Sequence, residues 1–187
     1  VGKIPVVKTD LDFNDRLGAF RVRWGIKRNH YRVKPGLYAV GNHDDMSPVL
    51  VSANYKLSFD ALRKELTGIS TWIIVIDTKG INVWCAAGKG TFGTNEIINK
   101  INNLEMSTIV SHKKIILPQL GAPGVEAHII SKETGLKVVF GPVRAEDIKT
   151  FLDNNMKATN EMRKVLFTLK DILIITPVEM VLALKVL

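Results

Sequence analysis

Apolar positions along the chain follow two rhythms: short continuous runs, and residues recurring every three or four places. Residues 37–40 and Val49–Ala53 are apolar runs bounded by Gly36, Gly41 and Pro48, and they read as strands. Ser58 is placed to cap a helix whose apolar face is Phe59, Leu62 and Leu66, with Gly68 just past its end. Residues 72–76 (Trp-Ile-Ile-Val-Ile) form an unbroken β-rich run, the pattern of a strand buried on both faces. Residues 77–80 end it, and Val83-Trp84 reads as a possible return to extended chain. Thr94 is placed to cap a helix carrying Ile97, Ile98 and Ile101. Lys114–Leu117 and residues 136–140 read as strands, and residues 124–131 and 145–152 as helices. Strands alternating with helices at this spacing predict an α/β sandwich with a mainly parallel sheet.

In such sheets ligands sit outside the carboxyl ends of the strands, so the loops there are the candidate site. Those loops are residues 54–56, 77–93, 119–124 and 141–144. The glycines at 88, 90 and 93 match a dinucleotide-type spacing, but no clean buried strand leads directly into them, and the phosphate-loop spacing fails. His30, His43, His112 and His128 show no metal-ligand spacing, and no nucleophile-elbow motif is present.

Composition changes the picture at one residue. The chain of 187 residues has a single cysteine, Cys85, so neither an internal disulfide nor a tetrathiolate metal site is available. That cysteine is either buried filler or a lone thiolate. Lys89, one helical turn on, brings a positive charge that favours a thiolate.

Charge and the ends add less. The net charge is +8, and residues 16–34 carry Arg16, Arg21, Arg23, Lys27, Arg28, Arg32 and Lys34 with no acid after Asp15. This stretch reads as a solvated basic arm or a docking patch for anionic partners. No nucleic-acid module accompanies it, so nucleic acid is not expected as a partner. The apolar tail, residues 172–187, reads as a strand then a helix entered at Pro177 behind a Thr176 cap, or as the first turns of a membrane segment; a complete span needs about twenty apolar residues.

The run Asn82-Val83-Trp84-Cys85-Ala86-Ala87-Gly88-Lys89 resembles the cap-helix signature of the mercury-methylating corrinoid protein family (HgcA). That family is itself similar to the large subunit of the corrinoid iron–sulfur protein of acetyl-CoA synthesis. The likeness continues through residues 32–41, 54–62, 115–125 and 176–179. It implies a Rossmann-like three-layer domain over residues 35–170, a basic arm over 1–34, and the truncated start of a membrane segment over 171–187.

By the same resemblance Cys85 is the catalytic residue and the lower axial ligand of the cobalt in a corrinoid (cobalamin). Asn82, Val83, Trp84, Ala86, Ala87, Gly88 and Lys89 form the cap beneath the ring, where the small residues permit close approach. Thr91, Gly93, Asn54, Gln119 and Gly121, in the neighbouring loops, complete the candidate cofactor-binding set. Thiolate is a soft donor suited to such a metal. The implied activity is methyl transfer to Hg(II), forming methylmercury; the alternative is a corrinoid methyl carrier of one-carbon metabolism. The implied partners are a ferredoxin-like protein with two 4Fe–4S clusters as electron donor, and a methyl donor protein or methyl-folate. Family members carry a C-terminal membrane domain, which implies a location at the cytoplasmic face of the cell membrane.

Overall fold

The computed structural model describes residues 4–184. The outer residues of the expected arm (1–3) and of the expected membrane segment (185–187) lie outside the described residues. The elements run α1 (Phe13–Arg23), β1 (Gly36–Val40), β2 (Val49–Ala53), α2 (Lys56–Lys64), β3 (Thr71–Ile76), α3 (Val83–Gly88), α4 (Thr94–Asn103) and α5 (Met106–Ile109). They continue with β4 (Lys114–Leu117), α6 (Ala127–Thr134), β5 (Lys137–Phe140), α7 (Ile148–Asp153) and α8 (Leu169–Leu184).

The five strands form one sheet in the order β1-β3-β2-β4-β5. β1 runs antiparallel to β3 and every other pair is parallel, as the alternating pattern predicts. Both faces are covered, giving three layers. Trp72, Ile74 and Ile76 of β3 face one core with Ile97 and Ile101 of α4 and Ile130 of α6. Ile73 and Val75 face the other, with Phe59 of α2 and Phe151 of α7. The two-residue period of a strand sends alternate side chains to opposite cores, so a strand covered on both sides reads as a solid apolar run.

From β2 the chain crosses to β3 on one side and then returns to β4 on the other. The carboxyl ends of β2 and β4 therefore flank the switch point where open α/β sheets leave a crevice.

Several boundaries differ from the sequence reading. α2 begins at Lys56 behind Tyr55, so Ser58 lies inside the first turn rather than capping it. α4 is entered from Gly93, and the Thr94 hydroxyl accepts instead from the Glu126 N–H at 2.9 Å, tying α4 to the loop before α6. Residues 124–131 divide into a 3-10 stretch, Gln119–Gly124, and α6. Val83-Trp84 is helical, the start of α3.

The tail is the largest correction. α8 is one 16-residue helix running through Pro177, with Thr168 bonded to Asp171 at its start. It packs on α1, where Val178 is buried and Val181 lies against Gly25. Thr176 is no cap; its hydroxyl donates to the Ile172 carbonyl one turn back. Among the described residues no helix is long and apolar enough to cross a membrane, so the expected location at the membrane face finds no support in the described chain.

α1, which opens the basic stretch, is fastened to the domain through Asp15. Lys56 and Arg63 of α2 both bind Asp15 of α1 and Asp60 of their own helix, and Arg63 also donates to the Lys8 and Asp10 carbonyls. Tyr31 packs beneath Gly18, where a Cβ would stand 2.5 Å from its hydroxyl. Burial pushes the Asp15 carboxyl up, but hydrogen bonds from Lys56 and Arg63 outweigh it and bring the value from an ordinary 3.8 down to about 2. A carboxylate favoured by folding adds stability above pH 3.8 that is lost as the pH falls through about 2. In urea titrations, wild type should be more stable than Asp15→Asn above pH 3.8, with the difference closing towards pH 2. A difference independent of pH would contradict this account of the cluster.

Candidate functional site

The loop between β3 and α3 starts the site. Lys79 and Gly80 both take left-handed backbone, at φ 57° and 77°, so the chain turns sharply after β3. A glycine carries this conformation without a Cβ penalty, and the lysine beside it needs its backbone held. The holding groups are side chains: Asp77 accepts from the Lys79 N–H at 2.9 Å, and Asn54 accepts from the N–H groups of Thr78 and Gly80 at 3.1 and 2.9 Å.

α3 follows. Asn82 is its N-cap, accepting from the Cys85 N–H at 2.9 Å. Such caps occupy a donor the helix itself leaves free. The helix has two unlike sides. Val83, Ala86 and Ala87 are buried, against the Gln119–Gly124 stretch and Phe92. Trp84, Cys85, Gly88 and Lys89 are exposed.

The small residues around α3 thus serve the protein's own packing as well as its surface. A Cβ on Gly124 would meet the Phe92 carbonyl oxygen at 2.8 Å and the Ala87 Cα at 3.0 Å. One on Gly121 would meet the Phe92 ring at 2.6 Å. Ala86 and Ala87 allow α3 to lie against that backbone, whereas nothing stands within 4 Å of the position a Cβ would take on Gly88. Because the obstacles at Gly124 are backbone atoms, Gly124→Ala should destabilise the domain by about 1–3 kcal/mol in denaturant unfolding. An unchanged midpoint would show that the helix does not need this close approach.

A cavity of about 290 Å³ opens at the switch point beside α3. Ser52, Leu117, Pro118 and Gly141 line it from the strand ends, Ser58 and Leu62 from α2, and Asn82, Val83 and Trp84 from the cap side. Arg144 closes one lip; it donates to the Leu166 carbonyl and to Asp171, each at 2.6 Å, and holds the Asp171 carboxyl well below the usual carboxylate range. The Trp84 ring stacks on Phe167 with centroids 6.3 Å apart. The segment ahead of α8 is therefore pinned across the mouth at Trp84 and Arg144.

The sequence-derived residues fall into groups. Asn82, Trp84, Cys85, Gly88 and Lys89 gather on or beside the open side of α3. Val83, Ala86, Ala87 and Gly121 form the packed side. Thr91 is half-buried and donates its N–H to the Ala86 carbonyl, and Gly93 is the N-cap of α4. The Gln119 side chain accepts from Arg163 at 3.1 Å. Asn54 is 2 % exposed, and its amide is occupied by the β3–α3 loop.

Residues the sequence reading missed include Ser52, Ser58 and Leu62 of the cavity wall, and Phe92 beneath the helix. Ser58 and Leu62 carry a usable signal, since the first turns of a helix after a parallel strand border the switch-point crevice. Phe167 carries none, because its meeting with Trp84 depends on the path of the tail. The scattered histidines serve the scaffold where their contacts are described. His112 bonds the Ser47 carbonyl and His43 packs edge-on against Trp72. No group of three or more metal-ligating side chains occurs among the described residues.

The comparisons with known proteins bear on the same stretch of chain. A family model described as the CO dehydrogenase/acetyl-CoA synthase delta subunit matches residues 24–152. The acetyl-CoA decarbonylase/synthase complex subunit gamma of Archaeoglobus fulgidus is 31 % identical over 130 residues, 68 % of this chain and 27 % of the relative. Its counterpart in Methanocaldococcus jannaschii is 32 % identical over 130 residues, 68 % of this chain and 26 % of the relative. The corrinoid/iron–sulfur protein large subunit of Moorella thermoacetica is 29 % identical over 127 residues, 67 % of this chain and 28 % of the relative. The chain thus spans about a quarter of the length of the curated relatives it matches. Their names describe subunits of an acetyl-CoA complex and a corrinoid protein; none names mercury or a membrane.

Proposed function

The chain belongs to the CO dehydrogenase/acetyl-CoA synthase delta subunit family, and from that premise we propose that it is a corrinoid-binding domain which carries methyl groups in one-carbon metabolism. One observation carries the reading: the chain's single cysteine is exposed on a short, N-capped helix whose first turn borders the cavity at the carboxyl ends of the strands.

The residues present fit the group. Cys85 offers one exposed soft donor, of the kind that would suit the cobalt of a corrinoid. The exposed side of α3 has no bulk at Gly88, and the adjoining cavity can take only part of so large a molecule, the rest lying on the surface. When bound, the corrinoid supplies the chemistry of accepting and releasing a methyl group, which no side chain here provides.

The chain's own residues bind and orient. Cys85 would hold the metal through its sulfur. Asn82 closes the first turn of α3 through the Cys85 N–H, so the ligand's backbone is fixed before any cofactor arrives. Trp84, next to Cys85 in the chain, presents an exposed indole held by Phe167. Lys89, exposed at the end of the helix, suits the polar rim of a corrinoid. The cavity wall of Ser52, Ser58, Leu62 and Pro142 offers an apolar slot with hydroxyl groups for a cofactor side arm. The partners this reading requires are a methyl-folate-linked donor and a low-potential electron donor such as a protein with two 4Fe–4S clusters.

Methylation of Hg(II) is the second reading, favoured by the likeness of residues 82–89 to the mercury-methylating family's cap helix. No relative reported above supports it by name, and it stands behind the carrier reading. The deciding experiment loads the protein with methylcobalamin and follows methyl loss. The carrier reading expects exchange with tetrahydrofolate in the presence of a methyl-folate methyltransferase and little transfer to Hg(II). Fast transfer to Hg(II) that depends on Cys85 would reverse the order. A protein that retains no cobalamin overturns both.

A further inference from the structure

Asn54 is an unusual residue to find at the end of a buried strand. It lies one place beyond β2, is 2 % exposed, and is 31 residues from Cys85 in sequence (85 − 54). Every polar atom of its amide faces the loop that leads into α3. Its nitrogen donates to Asp77 Oδ1 at 2.9 Å. Its oxygen accepts from the N–H groups of Thr78 and Gly80, and lies 2.9 Å from the Thr78 hydroxyl. The amide orientation is fixed, because a flip would turn the NH2 group onto those two N–H donors.

The contacts continue towards the cysteine. The single Thr78 hydroxyl proton lies between the Asn54 oxygen and the Ile81 carbonyl, the latter at 2.7 Å. Ile81 precedes Asn82, which holds the Cys85 N–H. Asn54 and Asp77 between them therefore bind the N–H groups of residues 78, 79 and 80, through the left-handed turn that aims α3.

The Asn54 backbone joins the same node. Its N–H donates to the Ile76 carbonyl and its carbonyl accepts from the Val33 N–H. Its amide oxygen is thus filled by the loop and one of its two amide N–H donors is given to Asp77.

We infer that Asn54 is a positioning residue for Cys85: it locks the β3–α3 turn to the sheet and so fixes where the sulfur stands. The inference rests on the reading of Cys85 as the cobalt ligand. An asparagine suits the task because it provides one donor for Asp77 and one oxygen for two N–H groups. Aspartate in its place loses the donor and sets two carboxylates together. Alanine leaves buried N–H groups unpaired.

The test compares wild type, Asn54→Ala, Asn54→Asp, Thr78→Val and, as reference, Cys85→Ala. Each is loaded with hydroxocobalamin and examined by visible absorption and by electron paramagnetic resonance after one-electron reduction. Amide hydrogen exchange is followed on the cofactor-free proteins. The Cys85-dependent part of the spectra, defined by its loss in Cys85→Ala, should disappear or fall sharply in the Asn54 and Thr78 variants. Cobalamin affinity should drop by about 10–100-fold, as when an outer partner is removed from a metal site. Exchange should quicken over residues 78–88 while β2 and β3 stay protected.

Variants that keep the Cys85-dependent spectrum at wild-type affinity overturn the inference, whatever their exchange. Should the Asn54 variants fail to fold, Thr78→Val, which preserves shape and removes only the hydroxyl link, decides alone. If wild type itself shows no Cys85-dependent spectrum, the ligand reading fails separately. The exchange data then judge the positioning claim: faster exchange confined to residues 78–88 supports it, and unchanged protection there overturns it.

Discussion

Replacing Cys85 by alanine is expected to leave the fold intact and remove the site. The side chain is exposed, and surface substitutions of this kind usually change stability by no more than about 0.5 kcal/mol. Cobalamin affinity should nevertheless fall by more than the roughly 10–100-fold that loss of an outer partner costs a metal site, since the lost group is the ligand itself. The contrast makes the prediction sharp. A structural cysteine would give the opposite result: a weakened fold, with binding reduced only in proportion. Cobalamin titration and urea unfolding on the same preparations measure both sides. Equal affinities in the two proteins would show that the sulfur takes no part.

The second large effect is expected at Phe92. Its ring is fully buried beneath α3, near enough to Gly121 that no Cβ fits between them. Phe92→Ala removes the surface on which Val83, Ala86 and the Gln119–Gly124 stretch converge, and it should cost about 3–5 kcal/mol. Against a total of about 5–15 kcal/mol for a domain, that is a large fraction. Because the loss falls under the cap helix, cobalamin binding should weaken even where the sheet survives. Urea unfolding gives the first number and titration at low temperature the second. A loss below about 1 kcal/mol would mean that α3 is held by something other than this packing.

The sheet was legible in the sequence because its strands are covered on both faces. Residues 72–76 have no polar position to spare, and that alone marks a central strand of an α/β sandwich. The site loops followed from the same reasoning, since a parallel sheet puts its crevice at the carboxyl ends. Residues 77–93 and 141–144 indeed contribute to the cavity or its cap. Helix starts were less legible. Ser58 and Thr94 are good capping residues by type, yet the chain enters those helices at Tyr55 and Gly93, where the turn geometry after the preceding strand or glycine run decides.

The role of Asn54 could not be read from local pattern, because its partners lie more than twenty residues away and meet it only once β2 and β3 pair. The tail departs from its strand-then-helix reading for a related reason. Its apolar residues form one helix, in which Asp171 finds Arg144 and Val178 is buried beside α1. An apolar helix that packs on a neighbour and one that enters lipid share the same short-range composition.

The claim most in need of a direct test is the bond between Cys85 and cobalt. X-ray absorption at the cobalt edge, on protein loaded with cobalamin and on Cys85→Ala loaded the same way, addresses it without any enzyme assay. This account predicts a sulfur neighbour at cobalt in wild type that vanishes in the variant. A cobalt environment of nitrogen, oxygen and carbon alone, identical in both proteins, would contradict it.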